Sequence, residues 1–175
     1  MLAATRFEEM TYPEVQEYLE FSQREYAQGM FDQGEYPDYE TALRAGRSEI
    51  NHYYRTTQEG ESHYTYHIVN AQTGKRVGML AFSILLHRGD NIEPFVFIDY
   101  ITVFPDARRQ GHAKRAMQFV EKWALEHDLH QIDLNVMKHK KGAYGLYLGL
   151  GYEVYRERAL GFAKEPGRFD MRKRF

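Results

Sequence analysis

The sequence predicts a mixed α/β (α+β) fold, a single domain over residues 1–175 with a central sheet of about six to seven strands. Three observations carry this prediction. A strand, a loop, a helix and a second strand follow one another between residues 97 and 136, and such a unit normally forms two parallel strands with a right-handed crossover. Three apolar runs between residues 63 and 103 are joined by short turns, which is typical of an antiparallel meander. Two amphipathic helical patterns precede them.

The N-terminal part predicts one short strand and two helices. Arg6–Met10 is the strand, and Thr11–Glu14 has the form of a capping box with a proline in the first turn. We expect the first helix to end at Gly29. Asp38 caps the second helix, in which Gly46 costs about 1 kcal/mol relative to alanine, so a break there stays open. The segment between the two helices has no period and predicts a loop.

The remaining elements follow the meander and the crossover unit in order. They are the strand His63–Val69, the strand Val77–Leu86 with a turn at Arg88–Asn91, the strand Phe97–Val103, a helix from about Ala113 to His127, the strand Gln131–Val136, a short helix Lys141–Leu148, and the paired strands Glu153–Ala159 and Phe169–Phe175.

The crossover loop is suited to an anionic ligand. The strand before it stops at Pro105, which has no N–H for a ladder, and the following helix offers free N–H groups and the positive end of its dipole. Arg108 and Arg109 add charge, and Gly111 lets the backbone approach closely. The spacing is neither the dinucleotide fingerprint nor the phosphate loop of nucleotide triphosphatases, which need glycines that are absent here.

Arg108-x-x-Gly111-x-Ala113 instead resembles the pyrophosphate-binding motif of the GNAT-type N-acetyltransferases, which follows a strand ending in Val-x-Pro, as Val103-Phe104-Pro105 does here. A second match stands about thirty residues on, in Ala143–Tyr147 and Gly151-Tyr152, against the family pattern Ala-x-x-Leu-Tyr followed by Gly-Phe or Gly-Tyr. The chain departs from the family at Lys140, where asparagine is frequent. The resemblance covers roughly residues 63–175.

The resemblance implies acetyl-CoA as co-substrate and a GNAT fold with two N-terminal helices, a central cofactor-binding helix and a short C-terminal helix. It implies that the two central strands separate and bind the pantetheine arm through main-chain groups, and that the backbone of the loop, more than the His112 ring, binds phosphate. Asn135 contacts cofactor or substrate, or is a core amide. The implied cofactor-binding residues are Ile101, Thr102, Val103, Arg108, Arg109, Gln110, Gly111, His112, Ala113, Lys114, Asn135, Lys140 and Ala143.

Direct acetyl transfer to an amine needs a proton acceptor near the amine and a proton donor near the sulfur, and it needs no cysteine. The resemblance places Tyr147 near the sulfur as the donor; the alternative is that it only packs its helix. Asp99 is the candidate base or water-relay carboxylate, because aspartate is depleted inside strands. The alternative is a structural pairing of Asp99, with Glu93 as the second candidate.

Composition limits the partners. The 23 basic and 25 acidic residues leave a formal charge of -2, which gives no reason to expect nucleic acid or an anionic membrane. There is no cysteine, and the eight histidines lack ligand spacing, so we predict no metal. The chain shows neither a signal peptide nor an apolar run of about eighteen residues, which predicts a cytoplasmic protein. We expect a monomer or a homodimer.

The resemblance implies that the N-terminal helices and their connecting loop form the acceptor wall. Aromatic and acidic side chains in this region would suit a cationic or amphipathic amine on a small molecule or a peptide; they include Tyr26, Phe31, Asp32, Glu35, Tyr36 and Tyr39. Two other functions stay open: a non-catalytic acyl-CoA-binding sensor of the same fold, and nucleic-acid binding by the basic clusters at residues 108–115 and 171–175.

Overall fold

One mixed sheet organises the chain in the computed structural model, which describes residues 4–58, 62–86, 93–159 and 166–175. In chain order its elements are β1 Thr5–Glu9, α1 Tyr12–Asp32, α2 Tyr39–Gln58, β2 His63–Asn70, β3 Arg76–Leu85, β4 Phe95–Val103, a 3₁₀ turn Pro105–Ala107, α3 His112–Glu126, β5 Gln131–Met137, α4 Lys141–Gly149, β6 Glu153–Ala159 and β7 Pro166–Arg174. The turn expected at Arg88–Asn91 lies outside the described residues.

Within these ranges the sheet has seven strands in the order β1-β2-β3-β4-β5-β7-β6. β4 and β5 are parallel, and every other neighbouring pair is antiparallel. The predicted meander, the crossover through α3 and the pairing of the last two strands are confirmed. β7 lies between β5 and β6, so the final hairpin joins the sheet through its second strand. None of the helices in the described part of the chain combines the length and apolar content needed to cross a membrane.

The predicted caps of α1 and α2 are present, but the prediction that α1 ends at Gly29 is wrong. The Glu14 carboxylate accepts hydrogen bonds from the Thr11 N–H and hydroxyl at 2.8 Å each. α1 continues three residues past Gly29, and the left-handed residue that follows its end is Gly34, at φ 73°. α2 runs unbroken through Gly46, where a Cβ would lie 3.4 Å from α1. That glycine therefore serves the close packing of the two helices.

Hydrophobic side chains bury both faces of the sheet. The larger core lies on the face covered by α3 and α4 and includes Met117 and Val120 of α3 and Tyr147 of α4. The smaller core lies on the opposite face, where Val15 and Leu19 of α1 pack against β3. β4 runs between the two cores and contributes to both, so its side-chain alternation determines which residues reach each face.

A bulge in β4 changes that alternation. Consecutive residues of β3 pair with Tyr100 and Ile98, which leaves Asp99 as the extra residue. Before the bulge Ile98 packs on the α3 face, and after it Ile101 and Val103 do so. Tyr100 packs on the α1 face, and Asp99 bonds to side chains of that same face. The bulge therefore places two consecutive side chains, one acidic and one phenolic, beneath α1.

Candidate active site

The two parallel strands at the centre of the sheet separate at their carboxyl ends. Their pairing reaches only as far as Ile98 on β4 and Leu134 on β5. Both strands continue, β4 to Val103 and β5 to Met137, without further pairing to each other. The result is a gap between the two strands, with main-chain groups of β4 along one side. This separation is the feature that the sequence resemblance implies for the pantetheine arm.

The hydrogen-bond alternation of β4 shows which residues face the gap. The Phe104 N–H donates to the Val77 carbonyl on β3 at 2.8 Å. Because main-chain groups of an antiparallel strand alternate in direction, those of Thr102 also face β3, and those of Ile101 and Val103 face the gap. Of the three expected main-chain contacts, two therefore have donors and acceptors directed toward β5.

The loop after β4 forms the start of α3 through two left-handed residues, Arg109 at φ 64° and Gly111 at φ 87°. Gly111 is the N-cap, and the Arg115 N–H makes the first helical bond to its carbonyl at 3.1 Å. The N–H groups of residues 112–114 therefore precede the helical ladder and lie at the positive end of the dipole. The backbone therefore has free N–H groups at this helix start, and phosphate binding by them stays a prediction.

The polar side chains of this loop are exposed. Arg108 donates from Nε to the Val103 carbonyl at 2.9 Å, which connects the loop to the end of β4. Gln110 donates to the Asp106 carbonyl at 3.4 Å. Lys114 is exposed in the first turn of the helix, and Arg109 and Ala113 flank Gly111 without entering the central cavity described below. The loop therefore presents its cations to solvent around the helix start.

The His112 ring points away from this surface and is 1% exposed. Its Nδ1 lies 2.8 Å from the Thr5 hydroxyl on β1. Burial, together with the positive charge of Arg115, lowers the pKa of His112 below its ordinary value of 6.5. The ring thus anchors the start of α3 to the first strand, and only the backbone of this residue faces the loop.

A cavity of about 460 Å³ lies on the α1 side of the gap and is lined by residues of α1, α2, β2, β4, β5, α4, β6 and β7. Six residues predicted from the sequence as catalytic or cofactor-binding line it: Asp99, Ile101, Asn135, Lys140, Ala143 and Tyr147. The loop residues 108–114 lie outside it, as expected for a phosphate site at a distance from the reacting groups. The structure therefore separates the predicted residues into a loop group and a cavity group.

α4 and the end of β5 supply the cavity wall that faces the gap. Asn135 is half-buried on β5, and Lys140 is exposed at the N-cap position of α4. Ala143 and Tyr147 follow on the helix at a spacing of four, so both lie on the same side. Tyr147 is 5% exposed, and burial raises the pKa of its phenol above the ordinary value of 10.0. The phenol therefore keeps its proton at neutral pH.

Asp99 belongs to a buried polar cluster that the sequence did not reveal. The Ser83 hydroxyl donates to Asp99 Oδ2 at 2.6 Å, and His63 Nδ1 lies 2.8 Å from the same hydroxyl and 3.2 Å from Asp99 Oδ2. The side chains of His63 and Asp99 are each 6% exposed. The cluster spans three strands: the pairing of β2 with β3 sets His63 opposite Ser83, and the pairing of β3 with β4 brings Asp99 to them. Glu93 is exposed and does not line the cavity.

The acceptor-wall prediction is met by one residue of the six. Tyr26 lines the cavity, and its hydroxyl bonds to Glu49 at 3.0 Å. The other five lie outside the cavity lining, namely Phe31, Asp32, Glu35, Tyr36 and Tyr39. They fall in the last turn of α1, the connection and the first residue of α2, beyond the part of α1 that covers the sheet.

Charged and phenolic side chains missed by the sequence analysis complete the lining. They are Tyr18, Glu25, Glu49, Tyr54, Tyr100, Arg158 and Arg168. Arg158 is paired with buried Asp170, with Nε at 2.6 Å from Oδ2. Among the described residues, no group of three or more His, Asp or Glu side chains is arranged to hold a metal ion.

Comparisons with known proteins identify the family and the fold. The model of the acetyltransferase (GNAT) family matches residues 16–152. A curated relative, the N-terminal acetyltransferase B complex catalytic subunit naa20 of Schizosaccharomyces pombe, is 36% identical over 90 residues, which are 49% of each chain. The chain thus matches this curated relative over about half of its length.

Solved structures share the fold over nearly the whole chain. The YycN protein of Bacillus subtilis superposes with a TM-score of 0.73 at 20% identity, covering 93% of this chain and 98% of its own. Spermidine N-acetyltransferase from Vibrio cholerae, solved with CoA and spermine, superposes with a TM-score of 0.63 at 13% identity, covering 97% and 95%. At these identities the likeness concerns the fold.

Proposed function

Because the chain belongs to the acetyltransferase (GNAT) family, we propose that it transfers the acetyl group of acetyl-CoA directly to a primary amine of a small molecule or peptide, in a ternary complex. The observation that carries this proposal is the cavity beside the separated strands, which holds a buried carboxylate, Asp99, and a buried phenol, Tyr147. A non-catalytic binding module would have no use for two buried ionisable groups at the reacting end of its ligand site.

The residues present fit acetyl-CoA. The N–H groups of residues 112–114 and the guanidinium groups of Arg108 and Arg109 would hold the pyrophosphate. The main-chain groups of Ile101 and the N–H of Val103 would hold the pantetheine amides, because they face the gap and have no partner on β5. The Val103 carbonyl already accepts from Arg108. Both sets lead toward the cavity that contains Tyr147.

When bound, acetyl-CoA supplies the acetyl group as a thioester, whose C–S bond breaks as the C–N bond to the acceptor forms. Tyr147 keeps its proton at neutral pH and would donate it to the departing thiolate. Asp99 supplies the buried negative charge that favours removal of a proton from the acceptor amine. Because these two residues lie on different cavity walls, the amine and the sulfur are served by separate groups.

Thermal unfolding with and without acetyl-CoA tests the donor. A ligand at about a hundred times its dissociation constant stabilises the native state by roughly 2.7 kcal/mol, which is about 5 to 10 °C for a domain of this size. We expect that shift in the wild type and a much smaller one with S-acetylpantetheine, which lacks the pyrophosphate. A folded wild-type protein that acetyl-CoA does not stabilise would contradict the proposal.

A panel of acceptors tests the second substrate. Free-thiol release would be followed with polyamines, amino-acid derivatives and short peptides with free N-termini. Turnover with any of these amines, and none with the corresponding N-acetylated compounds, is the expected result. The relative from Schizosaccharomyces pombe is named for N-terminal acetylation and the Vibrio cholerae structure for a polyamine, so both classes belong in the panel.

A further inference from the structure

We propose that His63 is the proton acceptor for the incoming amine, and that Ser83 and Asp99 are positioning residues that act through it. This inference rests on the proposed acetyl transfer and names the group that carries its proton. It assigns a role to a β2 histidine that the sequence analysis considered only as a metal ligand.

The hydrogen bonds of the cluster determine the tautomer of His63. Ser83 has a single hydroxyl hydrogen, which it donates to Asp99 Oδ2 at 2.6 Å. The contact of 2.8 Å between Ser83 Oγ and His63 Nδ1 therefore requires Nδ1 to be the donor. Asp99 Oδ2 lies 3.2 Å from Nδ1, within ion-pair distance. A neutral imidazole protonated at Nδ1 carries its lone pair at Nε2.

That lone pair has no partner within the described structure. His63 Nε2 is buried and makes no hydrogen bond, and the side chain as a whole is 6% exposed. The residue nevertheless lines the cavity. Buried polar atoms are almost always paired, so an unpaired acceptor in a cavity wall calls for a donor from elsewhere. An acceptor amine is such a donor. The Tyr54 ring meets the imidazole edge-on, with centroids 4.9 Å apart, and fixes its plane.

Asp99 is poorly placed to take the proton itself. Its Oδ2 already accepts from Ser83 and lies within reach of His63 Nδ1. The same contacts orient the imidazole, because Ser83 and Asp99 both lie against Nδ1. The histidine is thus positioned by the hydroxyl and the carboxylate, and Nε2 is left to take the proton.

The titratable groups around His63 come from three elements. α1 contributes Tyr18, whose pKa is raised by burial and by the charge of Asp99, and α2 contributes Tyr54, whose pKa burial also raises. β4 contributes Asp99 and Tyr100. The phenols of Tyr18 and Tyr54 are therefore neutral at neutral pH, and Asp99 is the acidic group next to Nδ1.

The proton balance closes with these groups. An acceptor that arrives as an ammonium loses two protons and gains the C–N bond, while the thioester loses its C–S bond. One proton passes to His63 Nε2 and then to solvent. The second proton replaces the one that Tyr147 gives to the thiolate, so the phenol is restored at the end of the reaction. The net products are the amide, the free thiol and one proton in solution.

The test compares His63→Gln with His67→Gln. His67 lies four residues along β2 and contacts Glu14 at 3.2 Å instead of the cavity, so it is a matched control. We expect kcat/KM of His63→Gln to fall by about 10² to 10⁴, the usual contribution of a general base, with the stabilisation by acetyl-CoA unchanged. The acidic limb of the kcat/KM profile should disappear in this variant and persist in His67→Gln.

Chemical rescue adds a readout that a structural role would not move. Imidazole in the buffer should restore part of the activity of His63→Ala, with a dependence on the concentration of neutral imidazole. Ser83→Ala should lose less than tenfold, because the direct contact between Nδ1 and Asp99 remains. Asp99→Asn should lower kcat/KM and keep an acidic limb, because the ring that takes the proton is still present.

Two results would overturn the inference while leaving acetyl transfer intact. One is a His63→Gln enzyme with wild-type kcat/KM and an unchanged pH profile. The other is a profile whose acidic limb survives in His63→Gln and vanishes in Asp99→Asn, which would make the carboxylate the base. A wild type that neither binds acetyl-CoA nor acetylates any amine would instead overturn the proposed function, and this inference with it.

Discussion

The start of α3 and the cavity beneath α1 offer two different kinds of recognition. At the start of α3 the groups directed at a ligand are chiefly main-chain N–H donors, held in place by Gly111 at φ 87°, with the exposed cations of Arg108 and Arg109 beside them. In the cavity they are side chains, among them His63, Asp99 and Tyr147, which come from three separate elements. The first surface depends on about six consecutive residues and the second on residues from Tyr18 to Arg168.

Because of this difference, the loop should tolerate many substitutions, whereas the cavity should determine which acceptor is used. A site made of backbone accepts any side chain that permits the backbone shape, so its sequence requirement is short and local. A site made of side chains from many strands changes with each substitution, and the same sheet can therefore serve different acceptors. We expect mutations at the loop to affect acetyl-CoA affinity and mutations in the cavity to affect turnover and acceptor choice.

On the cavity side of this comparison, Tyr147→Phe should have the largest effect after His63→Gln. Removing the phenolic proton should lower kcat by about 10²-fold, at the lower end for general acid catalysis because a thiolate is a good leaving group. Stabilisation by acetyl-CoA should be unchanged. Steady-state kinetics and thermal unfolding check the two parts, with Tyr144→Phe on the same helix as the control. Equal kcat in both variants would remove Tyr147 from the chemistry.

Gly111→Asp and Gly111→Asn form the next pair, at the main-chain site. Both residues are among those that tolerate a left-handed backbone, and they differ only in charge. A carboxylate beside a bound pyrophosphate should cost about 1–2 kcal/mol more than the amide, or roughly tenfold in affinity. Calorimetric titration with acetyl-CoA measures it. Equal affinities of the two variants would place the phosphates elsewhere.

A smaller effect is expected from Arg108→Ala. If backbone donors carry most of the binding, loss of this exposed side chain, and with it the bond to the Val103 carbonyl, should weaken the affinity for acetyl-CoA about three- to tenfold. Arg44→Ala on α2, away from the loop, is the control. Titration at low and high salt should show the difference shrinking as salt rises. A loss of a hundredfold or more would mean that side chains dominate this site too.

The smallest effect is expected on thermal stability, at Glu14 in the first turn of α1, the helix that covers the cavity. The hydrogen bonds from Thr11, with help from Arg76, lower the pKa of Glu14 from 4.5 to about 2. A depressed carboxyl pKa stabilises the fold above pH 4.5, and that contribution is lost as the pH falls through about 2. Glu14→Gln should therefore unfold at a lower temperature than the wild type at pH 7, and the difference should shrink between pH 4.5 and pH 2.

Glu17→Gln, an exposed substitution on the same helix, controls for the change in net charge. Thermal midpoints of the three proteins across that pH range are the measurement. A difference between Glu14→Gln and the wild type that stays constant down to pH 2 would show that the capping carboxylate does not gain from its charge.

Local features were predictable from the sequence, and features that depend on strand register were not. Pro105 and Gly111 define the loop and the helix start through backbone rules that act over a few residues. Tyr147 follows from a motif within one helix. His63 was not identified, because its partner Ser83 lies on the next strand and only their pairing shows that the ring is held by a hydroxyl and a carboxylate.

The glycines of the N-terminal helices show the same limit. Gly29 was expected to end α1, but the backbone there stays helical and the left-handed position falls on Gly34. Gly46 looked like a weak point in α2, and it lies where that helix meets α1. The sequence suggests a break at each of these two glycines, and the structure shows that neither of them interrupts its helix.

The extra residue of β4 adds a side chain to the cavity without disturbing the rest of the strand. Ile98 and Tyr100 pair with consecutive residues of β3, so deleting Asp99 would restore simple alternation and leave every later position on its present face. The main-chain groups of Ile101 would still be directed toward the gap, and only the carboxylate beneath α1 would be lost. The bulge therefore lets one strand carry a cavity carboxylate and a cofactor-binding edge that can change independently of each other.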